Sequence, residues 1–420
     1  MEQLRIIGGQ RLSGEIRIKA AKNSVLPIMA CCLLTKEDII IQNVPDILDI
    51  KSMITIMKSL GAKCLYKNGN LYLNCKDATP NAIDSKLSSA LRSSIFILGP
   101  VLSRFRYAKL GLPGGCAIGA RPIDIHIDGL KALGVKVKES DSYIECDATS
   151  LRGGNINLKF PSVGATENLM MAAVFASGTT VINNAACEPE IIDLANFINL
   201  LGGKISGMGT KTLTMRGITR LGGAIYTPFG DRIVAPTFLA AGAATGGEVT
   251  VKGVNPHIAY STLSVFFKAG CSVAAGRDYI TVRANGKLKG VGNLVTGPHP
   301  NFATDLQSPV AEMLATSIGT TKIKETIFES RFNYVKQLNK MCANITTSKN
   351  TATIKGVKRL LGTTVLAEDL RGGAALVIAA LSAEGASTIN GTHHIDRGYE
   401  NIEKDLKSLG ANIKRIGLSK

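Results

Sequence analysis

Three groups of residues in this chain carry reactive or charged side chains at spacings that suit work on an anion. The first is the segment LPGGCAIGARP at 112–122, which holds Cys116 and Arg121 among three glycines and two prolines. Glycines let a backbone approach a ligand closely, and a guanidinium near a thiol favours the thiolate on which cysteine reactivity depends. A loop cysteine of this kind suits proton donation or covalent attack. Cys31 and Cys32 fall within an apolar run instead and read as small buried hydrophobes.

The second group precedes apolar runs: Lys22 with Asn23, Arg92, Ser162 with Thr166, Asp231 with Arg232, Thr304 with Asp305, and Asp369 with Arg371. Ser, Thr and Asp there suit helix N-caps. Lys and Arg oppose the helix dipole, so capping does not explain them. Unpaired N–H groups together with such cations make a receptacle for phosphate or carboxylate. The third group is HHIDRGYE at 393–400. Adjacent histidine side chains diverge and no further His or Cys cluster supports them, so the pair does not read as a metal site. Arg397 beside Gly398, and Arg331 at the equivalent place in another repeat, read as cations aimed inward.

These residues recur because the chain repeats. A Leu-Gly-small pattern returns at Gly61, Gly134, Gly202, Gly270 and Gly410, and the missing copy is filled by KMCANI at 340–345, with Cys342 where the others have glycine. Six copies of about 70 residues account for the chain. Each reads as a helix apolar nearly all round, a Gly-Thr-like turn, a β-branched strand, an amphipathic helix, a glycine cap and more strand. The all-apolar helices are expected over 24–34, 92–102, 165–176, 233–244, 307–318 and 373–384. A helix apolar on every face must be buried on every face, whereas the amphipathic ones belong outside. In the first of these, Ile50, Met53, Ile54, Met57 and Leu60 form the apolar stripe, and Asp49, Lys51 and Lys58 lie opposite. Asn68-Gly69 is a hairpin signal, so the sheets are partly antiparallel. The expected class is α/β (α+β): two domains of three repeats each, divided near 222–230, with helices buried inside walls of sheet.

Composition agrees and excludes alternatives. A chain of 420 residues with 45% apolar and 19% charged content supplies two cores and excludes a disordered or disulfide-stapled class. The net charge of +17 favours anionic partners, but the cations are dispersed and never exceed two in a row, which argues against nucleic acid. No apolar run is long enough to span a bilayer, and the N-terminus has no export signal. Nine cysteines without CxxC pairs fit a reducing cytoplasm. The residues name no oligomeric partner.

Taken together the motifs resemble the enolpyruvyl transferases, specifically those that act on UDP-N-acetylglucosamine, over essentially the whole chain. The matching strings are KNSVLP at 22–27, LRSSIFILGP at 91–100, LPGGCAIGARPIDIHI at 112–127, SVGAT at 162–166, EPEIID at 188–193, FATDLQ at 302–307, ETIFESRF at 325–332, DLR at 369–371 and HIDRGYE at 394–400. The resemblance implies two inside-out α/β barrels, 22–229 and 1–21 plus 230–420. It implies transfer of enolpyruvyl from phosphoenolpyruvate to the 3′-hydroxyl of UDP-N-acetylglucosamine with release of phosphate, the first committed step of peptidoglycan synthesis. No metal or organic cofactor is implied. Cys116, the thiol that the epoxide fosfomycin would alkylate, would be proton donor or covalent adduct site, and Asp305 the base. Lys22, Arg121 and Arg397 would cradle phosphoenolpyruvate. Asn23, Arg121, Pro122, Ile123, Asp124, Ile125, Ser162, Val163, Gly164, Asp305 and Ile327 would hold the nucleotide sugar. Arg92, Arg331, Asp369 and Arg371 would complete the charged site. Two readings stand beside this one: a 5-enolpyruvylshikimate-3-phosphate synthase-like transferase, against which GGCAIGARP and SVGAT speak, and a catalytically retired UDP-sugar-binding paralogue, against which the intact Lys22, Cys116, Asp305 and Arg397 speak.

Overall fold

The structure is a computed structural model that describes residues 2–80, 82–83, 85–112, 114, 118–119 and 122–417. The chain forms two compact units: Ala20–Cys116 with Ala120–Phe229, and Met1–Lys19 with Ala117–Gly119 and Gly230–Lys420. Each is an inside-out α/β barrel, in which apolar helices fill the centre and small sheets form the wall.

The unit that begins at Ala20 contains the buried helices Lys22–Cys31, Leu98–Phe105 and Val163–Ala173. The other contains Val234–Ala244, Gln307–Met313 and Leu370–Ser382. Nearly every residue of these helices is buried, as a helix without a polar face requires. Pro100, Pro236 and Pro309 each sit third in their helix, where the missing N–H has no intrahelical partner to lose. In the second repeat this moves the α-helix later than the sequence suggests. Arg92–Ile97 is a 3-10 turn, and the α-helix starts at Leu98 so that Pro100 falls in its first turn.

Among the described residues six sheets share one plan. A short edge strand runs parallel to the strand after the buried helix, and an antiparallel pair follows. Gly292–Val295, Thr320–Lys324, Thr351–Lys355 and Asn344–Ser348 show it in full. In the second repeat, among the described residues, the bridge between Ile83 and Leu110 stands in the place of the edge strand. The N-terminus is shared between two sheets: Glu2–Ile7 pairs with Ala386–Asn390 and Asn412–Gly417, and Ser13–Arg17 pairs with Glu248–Lys252. The first residues and the last therefore belong to one folding unit.

The repeat glycines serve as helix caps. Gly61, Gly134, Gly202, Gly270 and Gly410 all have positive φ, and Cys342 takes the same left-handed conformation at φ 68°. Asn68 and Gly69 both have positive φ, as a two-residue primed turn demands.

The amphipathic stripe of Leu48–Ser59 differs from expectation at two places. Ile56 rather than Ile54 is fully buried, and Asp49 is buried instead of facing solvent. The reason for the second is a partner, Lys22, described below.

Candidate active site

In the unit that holds both termini, the three buried helices pack against one another and their N-termini converge. Asp231 accepts from the amides of Ile233 and Val234 at 2.8 and 2.9 Å and so caps the first helix. Asp369 accepts from Arg371 and Gly372 at 3.0 and 2.9 Å and caps the third. The second is preceded by the 3-10 turn Thr304–Leu306, which carries Asp305.

Asp305 is the meeting point of this end. Arg331 Nη2 donates to one carboxylate oxygen at 2.7 Å and Arg371 Nε to the other at 3.2 Å. Both guanidiniums are almost wholly buried, whereas the carboxylate is 26% exposed. Two buried cations thus fix a carboxylate in one orientation with an open face. Arg371 Nη1 also donates to the Tyr399 hydroxyl at 3.2 Å, and that hydroxyl lies 3.0 Å from Thr237 Oγ1 on the first helix. Burial alone would lower the Arg371 pKa, but the hydrogen bond to Tyr399 and the carboxylates of Asp305 and Asp231 outweigh it and hold the guanidinium firmly charged. Burial pushes the Tyr399 hydroxyl up, which keeps it neutral.

Glu325 braces the same region. Its Oε1 accepts from Thr296 Oγ1 at 2.9 Å and the Ile327 amide at 2.8 Å, and its Oε2 from Thr304 Oγ1 at 2.8 Å and Gln307 Nε2 at 3.3 Å. Gln307 in turn accepts from Tyr334 at 2.7 Å. This network ties the segment of Ile327 to the turn of Asp305. Arg397 lies half-buried two residues before Tyr399, next to His394, whose pKa is lowered by burial, by His393 and by Arg397 itself. The rings of His393 and His394 sit 4.1 Å apart. Among the described residues no group of three His, Cys, Asp or Glu could hold a metal ion.

In the other unit Lys22 is the first residue of its helix and pairs with Asp49 at 3.0 Å, so the cation that opposes the helix dipole is held by a buried carboxylate. Asn23 beside it and Arg92 at the start of its 3-10 turn are half-buried. Ser162 is a helix cap: its Oγ accepts from the Ala165 amide at 3.3 Å, and Val163 and Gly164 open the helix. Pro122 and Ile123 lead into Asp124–Ala132, which carries Asp124 and Ile125. Cys116 and Arg121 lie outside the described residues.

Sequence reasoning missed a buried polar relay beneath Ser162–Gly164. The Gly99 amide donates to Asn168 Oδ1 at 2.7 Å, so Asn168 turns its Nδ2 to His126 Nδ1 at 3.1 Å. A nitrogen that accepts there leaves the neutral His126 ring protonated at Nε2, the atom nearest Gly164 along with Cε1. His126 is the last but one residue of the LPGGCAIGARPIDIHI string and Asn168 lies two residues beyond SVGAT, but a contact 42 residues apart has no local signal. Glu325, Tyr399 and Thr237 were missed for the same reason. Eight described cysteines are all free; Cys31 and Cys32 are fully buried with thiol pKa values pushed well up by burial, which makes them inert.

Inside-out α/β barrels are the fold of the enolpyruvyl transferases, and this chain has two of them. Residues 6–406 match the family model described as EPSP synthase (3-phosphoshikimate 1-carboxyvinyltransferase), and the chain belongs to this family of enolpyruvyl transferases. Among curated relatives, UDP-N-acetylglucosamine 1-carboxyvinyltransferase 2 of Caldanaerobacter subterraneus subsp. tengcongensis is 46% identical over 99% of this chain and 100% of its own. UDP-N-acetylglucosamine 1-carboxyvinyltransferase of Dichelobacter nodosus is 44% identical over 99% of each chain. Among solved structures, the enolpyruvyl transferase NikO from Streptomyces tendae shares the fold with TM-score 0.89 at 24% identity, covering 100% of this chain and 99% of its own. EPSP synthase from Acinetobacter baumannii shares it with TM-score 0.77 at 16% identity, covering 99% of this chain and 100% of its own. Among the described residues no helix is long and apolar enough to cross a membrane.

Proposed function

We propose that the protein transfers the enolpyruvyl group of phosphoenolpyruvate to the 3′-hydroxyl of UDP-N-acetylglucosamine and releases phosphate, the reaction that commits the sugar to peptidoglycan. The observation that carries this reading is identity of 43–46% along nearly the full length of enzymes named for that activity. The EPSP synthase alternative is supported by the family model matched over residues 6–406 and by a likeness of fold at 16% identity.

The chemistry is addition followed by elimination. The sugar oxygen bonds to C2 of phosphoenolpyruvate while C3 gains a proton. The C2–O bond to phosphate then breaks as C3 returns a proton, which restores the double bond. Asp305, held by Arg331 and Arg371, accepts the hydroxyl proton through its exposed face. Cys116 supplies the proton at C3 or holds an adduct. Lys22, Arg121 and Arg397 bind the carboxylate and phosphate, where fixed cations stabilise the leaving group. Asn23, Arg121–Ile125, Ser162–Gly164, Asp305 and Ile327 bind the nucleotide sugar, with Ser162–Gly164 presenting a helix N-terminus to its diphosphate, and Arg92 and Arg331 add charge to the site. Asp369 and Arg371 complete the site. The step needs no organic cofactor or metal, and the same reading places the enzyme in the cytoplasm, where both substrates are made.

The test is phosphate release with both substrates, with each omitted in turn, and with shikimate 3-phosphate in place of the nucleotide sugar. Release that requires UDP-N-acetylglucosamine supports the reading. Release that requires shikimate 3-phosphate overturns it in favour of the sister activity, and binding of the nucleotide sugar without release favours a retired paralogue.

A further inference from the structure

Arg415 is the most heavily engaged cation among the described residues, and it lies outside every motif used above. It stands on the last strand, Asn412–Gly417, opposite Leu4 of the first strand. Its Nε and Nη2 donate to the two oxygens of Glu403 at 3.0 Å each. Nη2 and Nη1 donate to the two oxygens of Asp396 at 2.7 and 3.0 Å, and Nη1 reaches Glu2 at 3.0 Å. These contacts occupy the whole donor fork of a guanidinium. Such a network around a largely buried guanidinium stabilises the fold and holds the Glu403 carboxyl below its usual range, but that alone does not say why Asp396 is one of its members.

The position of Asp396 supplies a reason. It ends the short helix Thr392–Ile395, its amide bonds to Thr392 at 3.0 Å, and the next residue is Arg397. Beyond Arg397, Gly398 packs so tightly on Leu370 that an added Cβ would lie 2.8 Å from a Leu370 methyl. Tyr399 is buried and bonded to Arg371 and Thr237. The core therefore fixes the turn on one side of Arg397, and the two-pronged grip on Asp396 fixes it on the other.

We propose that Arg415 is a positioning residue that, through Asp396, preorganises Arg397 to bind phosphoenolpyruvate and so couples the paired chain termini to substrate affinity. This rests on the role given to Arg397 above. A planar fork is what fixes both oxygens of Asp396, and a lysine ammonium cannot reproduce it. A cation held in place before binding spares the substrate the cost of ordering it.

Steady-state kinetics of Arg415→Lys, Asp396→Asn, the double variant and Glu403→Gln test the proposal, with melting temperatures taken alongside. Arg415→Lys and Asp396→Asn should each raise KM for phosphoenolpyruvate about tenfold, with KM for UDP-N-acetylglucosamine unchanged within about twofold. The double variant should be no worse than either single one, because both break the same link. Glu403→Gln loses an equal share of the ion network without touching Asp396 and should leave both KM values alone. An unchanged KM for phosphoenolpyruvate, equal shifts in both KM values, or an effect of Glu403→Gln as large as that of Arg415→Lys would overturn the proposal. A wild-type protein that turns over neither substrate would instead remove the reading of Arg397 on which it stands.

Discussion

At Asp305 three residues distant in sequence become one chemical unit. A carboxylate gripped by two buried guanidiniums cannot rotate, so whatever approaches its exposed side meets an acceptor already aimed. Asp305→Asn should lower kcat by on the order of a hundredfold or more, as loss of a general base does. It should also lower the melting temperature, because Arg331 and Arg371 lose their shared counter-charge while staying buried. Stopped-time phosphate assays and thermal melts check the two effects, and an unchanged kcat would remove Asp305 from the role of base. The charged residues themselves were legible in the sequence, since helix capping does not explain a Lys or Arg at the start of an apolar run. Their pairings were not. The grip on Asp305 spans 26 and 66 residues, and Asp49, read as a solvent-facing position, is drawn inward by Lys22 from 27 residues away.

Elements follow from the sequence more directly, because caps and prolines act locally. The repeat alignment that set Cys342 against five glycines predicts a left-handed residue there, and φ of 68° is what the chain adopts. A side chain with a Cβ in that conformation costs about 1 kcal/mol. Cys342→Gly should therefore stabilise its unit by about that amount and raise its melting temperature by roughly 2–4 °C. Calorimetry checks this, and an unchanged or lower melting temperature would show that the Cys342 side chain contributes contacts that offset the strain. The same local logic explains the late α-helix of the second repeat, where Pro100 forbids a regular helix through Phe96. That shift was legible in principle from Pro100 alone.

Across a whole unit, the inside-out plan makes the centre helical and dry, and any polar group there is felt by the entire unit. Glu312 lies in the last turn of Gln307–Met313, fully buried, and accepts one hydrogen bond from Ser382 at 3.1 Å. Burial raises its pKa from 4.5 to about 8. A raised carboxylate pKa means that the unfolded chain releases a proton that the folded chain keeps, so stability falls as pH rises from 4.5 to about 8 and levels off above. The slope is about 1.4 kcal/mol per pH unit in that window. Glu312→Gln, which cannot ionise, should raise the melting temperature more at pH 8 than at pH 5. An equal change at both would show that Glu312 does not titrate in the core. The hydrophobic repeat announced this architecture, since six all-apolar helices leave no arrangement but burial. A lone acid within one of them gave no sign of its proton.

The central claim, that an enolpyruvyl group moves intact to the 3′-oxygen of a nucleotide sugar, is tested most directly by the product itself. The wild-type protein should be incubated with carbon-13-labelled phosphoenolpyruvate and UDP-N-acetylglucosamine, and the mixture followed by carbon and phosphorus NMR. Inorganic phosphate should appear in step with a labelled vinyl ether whose C2 couples to the sugar at position 3′. Labelled pyruvate without the ether, or an ether joined to any other acceptor oxygen, would contradict the account.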